Sequence, residues 1–363
     1  MEEVIKELEP EQELLEESKS KKKKTKSDVL RKAKEVKNDE FYTQIEDIVN
    51  EIAQHKDYVK HFEGKTVFCN CDDPEWSSFV EFFRKFFKKL KLKKMIATHY
   101  NKDGSPSYKL EWYGEKINGD TVNMIKTPLK GNGDFRSDEC IELLKESDIV
   151  VTNPPFSLFR EYVAQIMEYN KKFVILGNTN AVAYKEFFPL IKDNKVWIGY
   201  KSPSGGMWFK VTDEFGKKVL SGEEKATYRI TDDGTLLCNC PAMWYTNLDL
   251  DKVHEPLILT KNYKGNEDKY PKYENFDAID IGKIADIPKD YFEKMGVPIT
   301  FLAQYCPEQF EIIGSGTGDM AKKIGIKKNY RGRTDLAIKE NGKDRCPYNR
   351  IIIQRKPLPE EDK

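Results

Sequence analysis

Asn153-Pro154-Pro155-Phe156 follows directly on an apolar run, Ile149-Val150-Val151, and its last residue Thr152. These residue types suit one task. The Asn153 amide oxygen and the Pro154 carbonyl are two acceptors held side by side, and an NH2 group has two donors to give them. Proline fixes φ, so the acceptors are set before any ligand arrives. Phe156 offers a flat face on which a base can stack. Together they would grip the exocyclic amine of a planar heterocycle. Such an amine is a poor nucleophile, because its lone pair is delocalised into the ring. Acceptors that favour a tetrahedral nitrogen localise that pair towards a methyl donor. Transfer from a sulfonium then requires mainly positioning. No strong base is needed before attack, since the proton leaves an already cationic product.

Positioning requires a frame, and the flanking pattern predicts one. Ile45, Ile48, Val49 and Ile52 are spaced as one helix face. Lys65–Cys71 is a short β-rich run, and Trp76–Leu90 reads as a helix with Phe79, Val80, Phe83, Phe86, Phe87 and Leu90 on its apolar side. Met95–Thr98, Asp148–Thr152 and Phe173–Leu176 read as strands, with a helix from Leu158 to about Tyr169. Strands alternating with helices at this spacing indicate an α/β fold with a mostly parallel, doubly wound sheet. In such sheets ligands sit beyond the carboxyl ends of the strands, where Asn153 falls. After Lys195 the segments VWIGY, GMWF and AMWY look like antiparallel pieces at a sheet edge. From about residue 251 the chain is rich in Pro, Lys and Tyr, with two further strands, FEIIG and NRIIIQ, and a smaller second domain is expected there.

Composition limits the alternatives. The 363 residues contain 12% aromatics, enough for a sizeable core, and 34% charged residues. No apolar run approaches a membrane span, and the start, MEEVIKELEPEQ, is no signal peptide. Seven cysteines, an odd number scattered along the chain, fit a reducing compartment and thus the cytoplasm. The 61 basic and 61 acidic side chains balance, yet residues 1–17 hold eight Glu against one Lys. The remainder therefore has seven more basic than acidic groups, a modest pointer to a polyanion partner. Residues 1–36 read as a disordered charged tail.

At this point the sequence resembles a family. Asn153-Pro154-Pro155-Phe156 matches the catalytic motif of amino-group DNA methyltransferases. Asp39–Gln44 (DEFYTQ) looks like their segment that packs on the methionine end of S-adenosyl-L-methionine. With Val67–Glu75 (VFCNCDDPE), Gly133–Ser137 (GDFRS), Ala242–Asp249 (AMWYTNLD) and Ile299–Gly314 (ITFLAQYCPEQFEIIG), the chain from about 38 to 356 is similar to the EcoRI-type adenine-specific methyltransferases. The resemblance implies a Rossmann-like methyltransferase fold with an antiparallel edge hairpin over 37–250, and a target-recognition region over 251–363. It implies catalysis by Asn153, Pro154, Pro155 and Phe156. Phe41, Tyr42, Thr43, Asn70, Asp72, Asp73, Asp134 and Phe135 would line the cofactor site, with no metal. The partner would be double-stranded DNA, its adenine flipped out. A restriction endonuclease of the same site is a second possible partner, unless the enzyme is solitary; a monomer suffices. Two features depart from the usual pattern: the loop after the first strand has no glycine, and no acid follows the second strand (MIATHYN, 95–101).

Other readings remain open on the residues alone. RNA or a glutamine side-chain amide offers the same NH2 geometry, and a methyltransferase-like protein could bind without turnover. Phe310–Asp319 (FEIIGSGTGD) resembles a nucleotide loop, which would suit a permuted methyltransferase or a dinucleotide oxidoreductase. In the EcoRI-type reading it leads instead into Lys322, Lys323, Lys327, Lys328, Tyr330, Arg331 and Arg333, a basic stretch with an interleaved aromatic suited to DNA phosphates. Cys69-Asn-Cys71 and Cys238-Asn-Cys240 are too tightly spaced for the usual zinc pair. The four histidines form no motif.

Overall fold

The computed structural model describes residues 41–54, 57–71, 73–114, 125–201, 205–340 and 342–357. The charged tail and Asp72 lie outside the described residues. An eight-stranded sheet dominates. Its centre is four parallel strands: β3 (Lys94–Thr98), β2 (Thr66–Cys69), β6 (Ile149–Thr152) and β7 (Lys172–Asn178). On one flank lie β4 (Tyr108–Trp112) and β5 (Ile125–Pro128); on the other lie β12 (Ala242–Thr246) and β8 (Trp197–Ile198). Only β4 and β12 run against the common direction. The fold is thus mixed α/β with a large, mostly parallel central sheet.

The period of two along each strand builds both faces. Val67, Cys69, Ile149 and Val151 point to one core; Phe68 and Val150 point to the other. The first core is closed by helices α1 (Ile45–Ala53) and α2 (Ser78–Phe86). It also takes Met207, Phe209, Cys238 and Cys240 from a second sheet, β1 (Phe41–Tyr42), β9 (Met207–Val211), β11 (Leu236–Cys240) and β10 (Tyr228–Ile230). The opposite core takes α3 (Asp138–Glu146) and α4 (Phe159–Glu168). It continues without a break into a third sheet, β13 (Ile279–Asp280), β14 (Lys294–Pro298), β16 (Arg350–Arg355) and β15 (Phe310–Ser315), through Met295, Val297, Phe310 and Ile351.

Three elements differ in detail from the sequence pattern. The helix expected from Trp76 starts at Ser78, because the Ser77 hydroxyl caps it by accepting from the Phe79 and Val80 amides (3.2 and 3.5 Å). AMWY is not an edge piece: β12 inserts between β7 and β8, and all five of its residues are buried. GMWF belongs to the second sheet, where Phe41–Tyr42 pairs with Val211 and Lys210. Among the described residues, no helix is long and apolar enough to cross a membrane.

Candidate active site

Four parallel strands end on one edge, and each delivers a polar residue there: Asn70 after β2, His99 after β3, Asn153 after β6 and Asn178 at the end of β7. Asn153 follows a strand buried on both faces and is itself 8% exposed, with its Oδ1 buried. Pro154 is buried; Pro155 and Phe156 are half-buried. The Leu158 amide donates to the Pro155 carbonyl at 2.9 Å, closing a short turn over Phe156–Leu158 that opens α4. Phe156 packs against the first core, which fixes its ring.

Helix α4 does more than follow the motif. Its fully buried Tyr162 donates its hydroxyl to Asn70 Oδ1, so Asn70 is held with its amide nitrogen still to offer. Burial holds the Tyr162 phenol far above its usual titration range, which keeps it a donor. Gln165 donates to the Phe135 carbonyl (3.2 Å), and Glu161 pairs with Arg136 (3.2 Å). Phe135 is a core residue with its ring packed edge-on against Tyr162, centroids 5.0 Å apart. Asp134 accepts two bonds from the Arg136 guanidinium (2.9 and 2.7 Å) and one from its amide. That pairing holds its carboxyl below the ordinary range. Oδ1 takes two of these bonds and Oδ2 one, so Oδ2 keeps a lone pair for a ligand donor.

Asp73 sits across the ends of β2 and β3. Its Oδ1 accepts from the Glu75 amide (3.0 Å) and the Tyr108 hydroxyl (3.3 Å), and its Oδ2 lies 3.3 Å from His99 Nδ1. His99 stacks on Tyr108 with centroids 5.4 Å apart. An acid therefore does stand at the end of β3, supplied by the neighbouring strand. Thr43 is buried between β1 and α1. Tyr42 is half-buried, and the backbone of Phe41 is in β1.

The loops of this edge are locked together. Glu139 accepts from the Lys130 and Gly131 amides (2.9 and 2.7 Å), and Asn101 bonds Asn132 in both directions. Gly133 has φ +81°, and a Cβ there would lie 1.8 Å from the His99 carbonyl oxygen. Gly133→Ala must therefore push the two loops apart, besides about 1–2 kcal/mol of left-handed strain. We expect calorimetry with S-adenosyl-L-methionine to show binding at least tenfold weaker in this variant; an unchanged Kd contradicts the expectation that Asp73 and Asp134 line the cofactor site.

The Gly-rich stretch further on belongs elsewhere. It leaves β15, an edge strand of the third sheet, and the helix after it, Gly318–Lys323, has only six residues. A Cβ on Gly314 would meet Ile324 at 2.7 Å, and one on Gly316 would meet Leu336 at 2.6 Å. These glycines serve close packing. The stretch leads into Lys322, Lys323, Lys327, Lys328, Tyr330, Arg331 and Arg333, all exposed, with the Arg331 guanidinium 5.1 Å from the Tyr330 ring centre. Cys69, Cys238 and Cys240 are buried thiols of the first core, none of them in a disulfide, and burial pushes Cys240 up to about 12.

Sequence reasoning missed Tyr162, Gln165, His99, Tyr108 and Arg136. Tyr162 lies on the apolar stripe of α4 with Phe159, Val163 and Ile166 and reads as core. Its hydroxyl, which needs a partner when buried, was the available signal.

No solved structure matches the chain. The family described as adenine-specific methyltransferase EcoRI matches residues 29–356. The chain is 45% identical over 345 residues to the Type II methyltransferase M.EcoRI of Escherichia coli, spanning 91% of this chain and 97% of that protein. It is 40% identical over 326 residues to the Type II methyltransferase M.MpnI of Mycoplasma pneumoniae, spanning 90% and 97%. A chain matched over nearly all its described residues, with Asn-Pro-Pro-Phe at the end of a central strand, belongs to the EcoRI family of adenine-specific methyltransferases.

Proposed function

We propose that the protein transfers a methyl group from S-adenosyl-L-methionine to the exocyclic amine of adenine in double-stranded DNA. The catalytic region is a Rossmann-like, doubly wound unit over 37–250, and residues 251–363 read the target. The observation that supports this most is the Asn153-Pro154 acceptor pair, buried at the carboxyl end of β6.

The donor set fits the cofactor. Its ammonium, ribose hydroxyls and adenine amine are donors for the Asp73 and Asp134 carboxylates along the β2–β3 end of the edge, and the Asn70 amide nitrogen is a donor for its carboxylate. Phe41, Tyr42, Thr43, Asp72 and Phe135 complete the surroundings. Bound there, the cofactor supplies a methyl group on a sulfonium. Asn153 Oδ1 and the Pro154 carbonyl accept the two hydrogens of the target amine and set its lone pair. Phe156 stacks on the base and fixes its plane. A base inside a duplex cannot reach this edge, so it is flipped out, at a cost of a few kcal/mol. Lys322, Lys323, Lys327, Lys328, Arg331 and Arg333 neutralise phosphates, with Tyr330 available for stacking. The protein acts as a monomer in the cytoplasm, as the modification partner of an endonuclease of the same site or alone.

The test offers labelled cofactor with one sequence as duplex DNA and as RNA, beside a glutamine-containing peptide. Label in the duplex alone is expected. Label in RNA or peptide but not in duplex DNA overturns the substrate assignment.

A further inference from the structure

Glu51 is buried in α1, 1% exposed, and takes no part in the mechanism above. Its Oε1 accepts from the Tyr200 amide at 2.7 Å and its Oε2 from the Lys201 amide at 3.0 Å. Lys252 donates to the neighbouring Gly199 carbonyl at 2.6 Å. A Cβ on Gly199 would come within 2.2 Å of Glu51 Oε1, so the glycine lets the carboxylate close on the backbone. Lys201 Nζ pairs with Asp47, one turn earlier on α1, at 2.7 Å. A buried carboxylate is costly unless fully bonded, and here it is spent on fixing two residues of one loop, with Lys252 holding a third.

That loop is placed where substrate must lie. It leaves β8, which runs in the common direction of the sheet, so it emerges on the same edge as Asn153. In-line transfer puts donor and acceptor on opposite sides of the moving methyl. The cofactor residues stand on the β2–β3 side of β6; the target adenine then occupies the β7–β12–β8 side. Three strand spacings separate β6 from β8, about 14 Å.

Resting on the reading of the two halves given above, we infer that Glu51 is a positioning residue for the target nucleotide, acting through the Gly199–Lys201 loop. Glu51→Gln keeps the shape but turns an NH2 towards a backbone N–H, which displaces the loop. Lys252→Met frees the Gly199 carbonyl by a second route. Steady-state kinetics with duplex DNA, calorimetry with S-adenosyl-L-methionine and thermal melting form the test. We expect KM for DNA to rise at least tenfold in Glu51→Gln and in the same direction in Lys252→Met, with cofactor Kd within twofold of wild type. A lower Tm with unchanged KM for DNA overturns the inference and leaves Glu51 a structural residue. Weaker cofactor binding with unchanged KM for DNA also overturns it, and additionally reverses the two halves. Wild-type protein that binds no cofactor fails the underlying reading instead, independently of Glu51.

Discussion

Replacing Asn153 by Ala lowers kcat about a hundred- to a thousandfold, with cofactor Kd and duplex affinity within a few-fold of wild type. The magnitude follows from the loss of one preorganised hydrogen-bonding group at a reacting centre, roughly 3–4 kcal/mol of transition-state stabilisation. Asn153 is held by the end of β6 on one side and the two prolines on the other, so truncation removes the acceptor without moving the backbone. The proposed role of its oxygen is confined to the base amine, so binding of cofactor and of phosphates is expected to persist. Asn153→Asp keeps an acceptor at the same reach and loses less. Single-turnover rates with saturating DNA separate chemistry from binding. An Asn153→Ala enzyme at full rate removes Asn153 from the mechanism.

Asp280→Ala destabilises the protein by about 3–5 kcal/mol, because it leaves a buried cation without its partner. Arg350 donates to Asp280 Oδ1 through Nε at 2.8 Å, and the Tyr273 hydroxyl donates to the same oxygen at 2.5 Å. The pair is 10% and 4% exposed at its side chains. Burial keeps Tyr273 protonated and so available as a donor. The cost should not stay local. Met295, Phe310 and Ile351 of the third sheet share a core with Phe68 and Val150 of the central sheet. Calorimetric melting of the variant should therefore show one cooperative transition at lower temperature. A separate early transition, with the rest of the protein melting as before, contradicts the shared core.

The frame around the site was legible because it rests on short-range pattern. The runs IVVT and KMIAT and the stripe Phe79, Val80, Phe83 have the periods that strands and helices impose, and the strand ends located Asn153. Asp73 was legible as a loop acid that the resemblance assigns to the cofactor site, but its position was not. Its place at the end of β3 depends on the parallel register of Val67 with Met95, which no local pattern encodes. Tyr162 was hidden because a buried tyrosine on a helical stripe has the same signature as packing. The Gly-rich stretch resembled a nucleotide loop for the converse reason: Ile324 and Leu336, which require Gly314 and Gly316, are brought close to them by the fold and not by the local pattern. AMWY read as an edge because its apolar run could not reveal that β8 returns to cover β12.

The most direct test of the amine-gripping assignment is nucleoside analysis of DNA methylated by the purified protein. Plasmid DNA is incubated with labelled S-adenosyl-L-methionine, digested to nucleosides and separated. The expected result is all label in N6-methyladenine, and none when Asn153→Ala protein is used for the same single-turnover interval. Label in a ring-carbon-methylated base, or equal N6-methyladenine from the Asn153→Ala protein, would contradict the account.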